Sequence, residues 1–163
     1  MTGILNKKAG IDFLQFQIRL SMKNKTPLTI CYIDLDNLKL VNDNYGHKEG
    51  DKVIKSTIKH IKSALRETDS ICRLGGDEIL MVLPNTTFSE CDSVVIRICG
   101  IIEDKNEPLQ KPYRIEFSYG IAEYDSSLKC TPQELIDIAD SNMYKMKTVK
   151  KKTHGGNYQA VGS

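Results

Sequence analysis

Two short acidic segments carry the residues best able to do chemistry. The first, Tyr32-Ile33-Asp34-Leu35-Asp36, closes an apolar run; the second, Gly75-Gly76-Asp77-Glu78, lies between two others. Carboxylates gathered at one exposed rim repel one another, and a hard divalent cation such as Mg²⁺ is the simplest counter-charge. Two glycines ahead of Asp77 remove side chains from a turn, which lets a phosphate or a metal come close to the backbone. Taken alone, an Asp-x-Asp or a Gly-Gly turn is ordinarily a solvated acidic loop. The metal reading therefore requires that the two segments meet in space. Asp34 is the ligand candidate, and Asp36 is assigned to the loop that follows it.

The elements that must position these residues are legible from periodicity. Asn6 to Lys23 places Ile11, Leu14, Ile18 and Met22 at helical spacing and ends in a Lys-Asn-Lys-Thr-Pro turn. Leu28 to Leu35 is a β-branched and aromatic run that predicts a buried strand. Residues 50 to 66 set Ile54, Ile58, Ile61 and Leu65 on one helical face and Lys52, Lys55, Lys59 and Lys62 on the other. Ser70 to Leu74 and Glu78 to Leu83 flank the Gly-Gly pair as a hairpin whose turn is expected to use positive φ. Phe88 to Ile102 predicts a helix, Tyr113 to Tyr124 a strand with a bulge at Gly120, and Thr131 to Met146 a last helix capped by Thr131 and Glu134. Without the first helix, the order β-α-β-β-α-β predicts an α+β, ferredoxin-like antiparallel sheet, helices on one face, with the first strand central. That topology carries the hairpin to the end of the strand that holds Asp34.

Composition narrows the class. A chain of 163 residues, 40% hydrophobic and 27% charged, suits one globular domain. Its longest apolar run, Ile79 to Leu83, is far too short to span a membrane, and no signal peptide follows the first residues. With 23 Lys and Arg against 21 Asp and Glu, the net charge of +2 gives no basis for nucleic-acid binding. The basic excess gathers at Lys145, Lys147, Lys150, Lys151 and Lys152, and the stretch His154-Gly155-Gly156-Asn157 is linker-like. Five cysteines without a C-x-x-C pair suggest small core residues in a reducing, cytoplasmic compartment rather than disulfides or zinc. His47 is expected to fix a loop, and His60 to face solvent.

Several motifs occur together in order: Tyr32-Ile33-Asp34-Leu35-Asp36-Asn37-Leu38-Lys39, Val41-Asn42-Asp43-Asn44-Tyr45-Gly46-His47, Gly50-Asp51, Arg73-Leu74-Gly75-Gly76-Asp77-Glu78, Ser118-Tyr119-Gly120-Ile121-Ala122, and Ala139-Asp140 with Met143-Tyr144 and Lys147. The sequence from about residue 2 to about residue 150 thereby resembles the GGDEF domain of bacterial diguanylate cyclases. The domain is taken as residues 1–152, with 153–163 as a flexible tail. Thr2-Gly3-Ile4-Leu5-Asn6 is similar to the family's opening motif cut part-way through, so the chain is expected to be a catalytic domain from a longer, sensor-bearing protein, membrane-attached or not.

The resemblance implies a fold similar to polymerase palm domains and the condensation of two GTP into cyclic di-GMP and two pyrophosphates. It further implies that Asp34, the Leu35 carbonyl, Asp77 and Glu78 bind Mg²⁺ or Mn²⁺, two ions per site. Asp77 would accept the proton, Lys39 would neutralise phosphate charge, and Lys147 and Lys151 would add phosphate contacts. Leu38, Gly75 and Gly76 would line the substrate, while Asn42 and Asp51 would read guanine. A carboxylate and an amide suit guanine's N1–H and N2 amino donors; with adenine the Asp51 acid would go unpaired, at a cost of about 1–3 kcal/mol. Arg66-Glu67-Thr68-Asp69 stands at the register of the family's R-x-x-D site, where cyclic di-GMP binds as inhibitor; a helix-end Arg and a turn Asp are the plain structural alternative. Since each GTP attacks the other, catalysis implies a homodimer.

Three departures stand out. Ile79 and Leu38 each replace a Phe, and Lys151 replaces an arginine, a point charge for a bidentate fork. An alternative reading is a silent relative that binds GTP or cyclic di-GMP without turnover; the intact Asp34, Asp77 and Glu78 oppose it. A palm-type cyclase with another product is a third.

Overall fold

The computed structural model describes the backbone of residues 3–106 and 111–159, with side chains to Thr153. In chain order the elements are β1 (Ile4–Leu5), α1 (Lys7–Asn24), β2 (Leu28–Leu35), α2 (Leu38–Tyr45), α3 (His47–Ser63), β3 (Ser70–Arg73), β4 (Glu78–Pro84), α4 (Phe88–Asn106), β5 (Phe117–Glu123) and α5 (Pro132–Gln159). They build one five-stranded sheet in the order β1-β3-β4-β2-β5. β1 joins β3 in parallel, and every other pairing is antiparallel.

β2 is central, as its unbroken apolar run predicts, and all eight of its residues are buried. Alternation along it divides the core. Cys31, Ile33 and Leu35 face a cluster with Ile54, Ile58 and Ile61 of α3 and Cys91, Val95 and Ile98 of α4. Leu28, Ile30 and Tyr32 face a second cluster with Leu14 and Ile18 of α1 and Leu135, Ala139 and Met143 of α5. The sheet is therefore covered on both faces, where the ferredoxin-like pattern suggested one. α1, set aside in that pattern, and α5 supply the second layer, and each fully buried Leu or Ile there contributes about 1.5–3 kcal/mol.

Local signals explain several boundaries. Asn6 caps α1 through a bond from the Ala9 amide (2.9 Å). The expected box at α5 forms, the Thr131 amide donating to Glu134 (3.1 Å) and the Glu134 amide to the Thr131 hydroxyl (3.2 Å). The helix then continues beyond Met146 to Gln159, so the backbone of 153–159, read from sequence as tail, is helical. Residues 160–163, and Thr2 of the opening motif, lie outside the described residues. α2 was not foreseen, because eight residues give too few turns to establish a period. Strand β5 starts at Phe117 instead of Tyr113. Of the cysteines, Cys31, Cys72 and Cys91 are core residues, whereas Cys99 is exposed.

No bulge occurs at Gly120: β5 pairs with β2 without interruption from Phe117 to Glu123. The glycine answers a different need. A Cβ there would stand 2.0 Å from the Ala139 carbonyl oxygen and 2.2 Å from the Met143 nitrogen, because α5 crosses the strand at this point. Both obstacles are backbone and cannot swing aside. Gly120→Ala is therefore expected to lower stability by about 1–3 kcal/mol or more, visible as a clear drop in the midpoint of thermal unfolding.

Candidate functional site

The hairpin delivers the second acidic segment to the first. In the β2–β4 ladder Asp34 stands opposite Glu78, and the Leu35 amide donates to the Asp77 carbonyl at 3.0 Å. Asp34 and Asp77, remote in sequence, thus become neighbours, close enough for the charge of Asp77 to act on the Asp34 carboxyl. Asp34 is buried, and its Oδ1 has no hydrogen-bond partner. Burial, followed by the charge of Asp77, pushes its pKa up to about 6, although Lys147 opposes the shift with an ion pair at 3.3 Å.

The turn itself differs from the sequence expectation. Neither Gly75 nor Gly76 has positive φ. The four-residue connection is closed by amides of Leu74 and Gly75 donating to the Glu78 carbonyl (2.9 and 3.4 Å). It is also held by Arg73, whose guanidinium donates to the carbonyls of Gly75 (3.1 Å) and Gly76 (2.9 Å). A Cβ on Gly75 would sit 2.4 Å from the Glu78 carboxylate, the far end of a side chain that can swing aside. Sequence reasoning misses this clamp; an arginine two residues before a Gly-Gly pair is the signal for it in the chain.

Around Asp77 opens a cleft of about 470 Å³ lined by Leu38, Lys39, Asn42, Asp51, Arg73, Gly76 and Asp77. α2 and α3 position its far wall, meeting so closely that a Cβ on Gly50 would overlap the Asn42 side-chain oxygen. His47 opens α3 at the rim, exposed, and His60 is only half-buried, its ring 3.2 Å from the Ser56 hydroxyl. A second cleft, about 390 Å³, adjoins the Asp36 loop and contains Lys147, Lys150 and Lys151. Of the expected residues, Leu38, Lys39, Asn42, Asp51, Gly76 and Asp77 line the first hollow and Lys147 and Lys151 the second, whereas Asp34, Leu35 and Gly75 line neither. Glu78 points elsewhere, toward Tyr32 and Asp140 in a small hollow on the α1/α5 side. Its charge raises the pKa of both neighbours, secondary in each to burial. Among the described residues no three His, Cys, Asp or Glu side chains are gathered to hold a metal.

Asp36 has a defined partner set. It accepts from the Ser118 hydroxyl (2.9 Å) and from Lys150 (3.0 Å), and Lys150 also donates to the Phe117 carbonyl (2.5 Å). Lys150 thus ties α5 to the end of β2, while Lys151 borders the cleft. Ile79 is 1% exposed within the α3/α4 core, so it fills an apolar position as expected.

Arg66 and Asp69 lie before β3, at the end of that strand away from the Gly-Gly turn. They close on each other: the Arg66 amide donates to Asp69 (2.9 Å), and its guanidinium reaches the Thr86 hydroxyl (2.5 Å) and the Pro84 carbonyl (3.3 Å). The Arg66 side chain is 59% exposed and that of Asp69 only 2%, with Oδ1 of Asp69 unpartnered.

The raised pKa of Asp34 has a definite sign. The folded state holds this proton more tightly than the unfolded chain, so the group costs nothing below about pH 4, its cost builds as pH rises from about 4 to about 6, and it is constant above that. Asp34→Asn is expected to raise the thermal midpoint at pH 7.5 and to leave it nearly unchanged at pH 4; unfolding scans at the two pH values measure the difference.

The profile described as "Diguanylate cyclase, GGDEF domain" matches residues 1–153. Diguanylate cyclase A of Treponema denticola is 34% identical over 133 residues, covering 81% of this chain and 36% of the relative. The chain thus spans about a third of that protein's length. The structure of the GGDEF domain of TpbB (YfiN) from Pseudomonas aeruginosa superimposes with a TM-score of 0.79 at 28% identity, covering 90% of this chain and 86% of the other. The GGDEF domain of DgcB from Caulobacter crescentus, solved with c-di-GMP, shares the fold at a TM-score of 0.83 and 24% identity, over 90% and 85% of the two chains. No described helix is long and apolar enough to cross a membrane. By the profile match and by the Treponema relative, the chain belongs to the GGDEF domain family.

Proposed function

We propose that this domain is a diguanylate cyclase, and that the observation carrying the reading is the juxtaposition of Asp34 and Asp77 by the β2–β4 register beside a cleft lined by Lys39, Asn42 and Asp51. The residues fit a hard divalent cation: a buried carboxylate oxygen without a partner, next to a second acid, is a donor set that a cation would complete. Mg²⁺ or Mn²⁺ would be held by Asp34, the Leu35 carbonyl, Asp77 and, after turning from Tyr32, Glu78, with two ions in the full site. Such ions lower the pKa of an attacking hydroxyl and stabilise charge on the phosphates.

In each half-reaction the ribose 3′-oxygen of one GTP bonds to the α-phosphorus of the other. The bond to the bridging oxygen of the β-phosphate breaks, and pyrophosphate leaves. Asp77 takes the hydroxyl proton. Lys39, at the cleft, offsets phosphate charge, and Lys147 and Lys151 extend the positive wall into the neighbouring hollow. Asn42 and Asp51 face the cleft together, matched to guanine's donors. Two domains must face each other, because each supplies one GTP. Cyclic di-GMP would act as inhibitor at the exposed Arg66, with the unpartnered oxygen of Asp69 as acceptor once the pair opens.

Incubation of the purified protein with GTP and Mg²⁺, followed by chromatography, is expected to yield cyclic di-GMP, at a rate that rises more than linearly with protein concentration. Asp77→Asn should lower it by at least about 100-fold, and Arg66→Ala should leave the initial rate intact while prolonging turnover. Failure to form product at high protein concentration would overturn the reading.

A further inference from the structure

The two residues assigned to the guanine base sit on either side of a sharp corner. Asn42 lies one turn before the end of α2, Gly46 turns the chain with a φ of 89°, and Asp51 lies in the second turn of α3. The hairpin is anchored to the core by Leu38 and Val41 at one end and by Val53 and Ile54 at the other. Between them, residues 43–48 are all exposed. The apex of the corner is therefore outside the core, and the contact across its base is that of Gly50 with the Asn42 side chain.

A segment from elsewhere in the chain grips that corner. Tyr113, half-buried against the α3/α4 core, donates its hydroxyl to Glu49 Oε1 at 2.6 Å. Its ring lies 5.5 Å from that of Tyr45, the last residue of α2. Lys111 pairs with the same Glu49 oxygen and reaches the Tyr113 hydroxyl at 3.3 Å, while Lys52 takes the other Glu49 oxygen at 3.3 Å. Glu49 is thus bonded by three groups, and its pKa is held down to about 2, first by Lys111 and then by Tyr113. One aromatic residue contacts the last turn of α2 and the first turn of α3 together. None of Glu49, Lys111 and Tyr113 lines the cleft.

We propose that Tyr113 and Lys111, acting through Glu49 and Tyr45, form a brace that fixes the separation of Asn42 and Asp51 and so sets how strictly guanine is selected. These are positioning residues, and the inference rests on the assignment of Asn42 and Asp51 to the base. A loosened corner weakens two-point recognition of the base and leaves Asp34, Asp77 and Lys39 where they are. The cost falls on binding and on discrimination, not on the chemical step.

Tyr113→Phe, which keeps the ring and removes the hydroxyl, and Glu49→Gln test this, with GTP compared against inosine triphosphate, which lacks the 2-amino donor. The expected result is a KM for GTP raised by about tenfold, near the worth of one hydrogen bond to a charged group, with kcat within about twofold of the unaltered protein. The preference for GTP over the inosine nucleotide should narrow, and the double variant should be little worse than Glu49→Gln alone. A merely structural role would lower the thermal midpoint and depress both nucleotides alike. An unchanged GTP-to-ITP ratio in both folded variants overturns the brace, as does an unaltered protein that does not distinguish the two nucleotides. If that protein forms no cyclic di-GMP, the cyclase reading fails separately, and calorimetric binding of the same two nucleotides decides the brace on the same ratio.

Discussion

The site depends on one register in the sheet. Pairing of β2 with β4 sets Asp34 opposite Glu78 and brings Asp77 to the Leu35 amide. A slip of one residue would turn Asp34 from the α1/α5 face to the other and separate the acids. What prevents that slip is apolar alternation: Ile33 and Leu35 belong to one core cluster, Ile30 and Tyr32 to the other. Hydrophobic burial on two faces thus holds together carboxylates whose mutual repulsion would otherwise part them.

Helix and strand periods cooperate in offsetting that repulsion. Asp34 and Asp36 are two residues apart on extended chain, roughly 7 Å. Lys147 and Lys150 are three residues apart on α5, a rise of roughly 4.5 Å, close enough for flexible side chains to reach one acid each. α5 can lie this near because Gly120 presents no side chain to it. A backbone requirement on β5 thereby becomes an electrostatic property of the site. Lys147 neutralises Asp34 only in part, since the acid retains a raised pKa and an unpartnered oxygen.

Much of this was legible in the residues. The Leu28–Leu35 run and the Ile54-Ile58-Ile61 stripe gave strand and helix with their buried faces, and the β-α-β-β-α-β order put Asp34 beside the hairpin. The misses have physical causes. α2 is too short to display a period. Gly120 reads as a bulge in one dimension, because the helix that demands the glycine arrives from a distant part of the chain. The Gly-Gly turn avoids positive φ since Arg73 holds its carbonyls from the side, a contact that no spacing rule anticipates. The partners of Asp36, Ser118 and Lys150, likewise come from elements far away in sequence.

Features that cost the fold stability are those the proposed chemistry would use. A desolvated carboxylate with an open lone pair is unfavourable in the protein alone, and a well-packed apolar residue at 34 would serve the core better. The same open oxygen is a vacancy in charge that a cation with its phosphates would satisfy, so binding would relieve a cost already present in the fold. The free energy gained on binding then depends on the sheet keeping Asp34 and Asp77 together beforehand. If they were free to separate, they would relax apart in the absence of a ligand, and bringing them together again would weaken its affinity. The two-faced core around β2 is therefore as much a part of the site as the acids it carries.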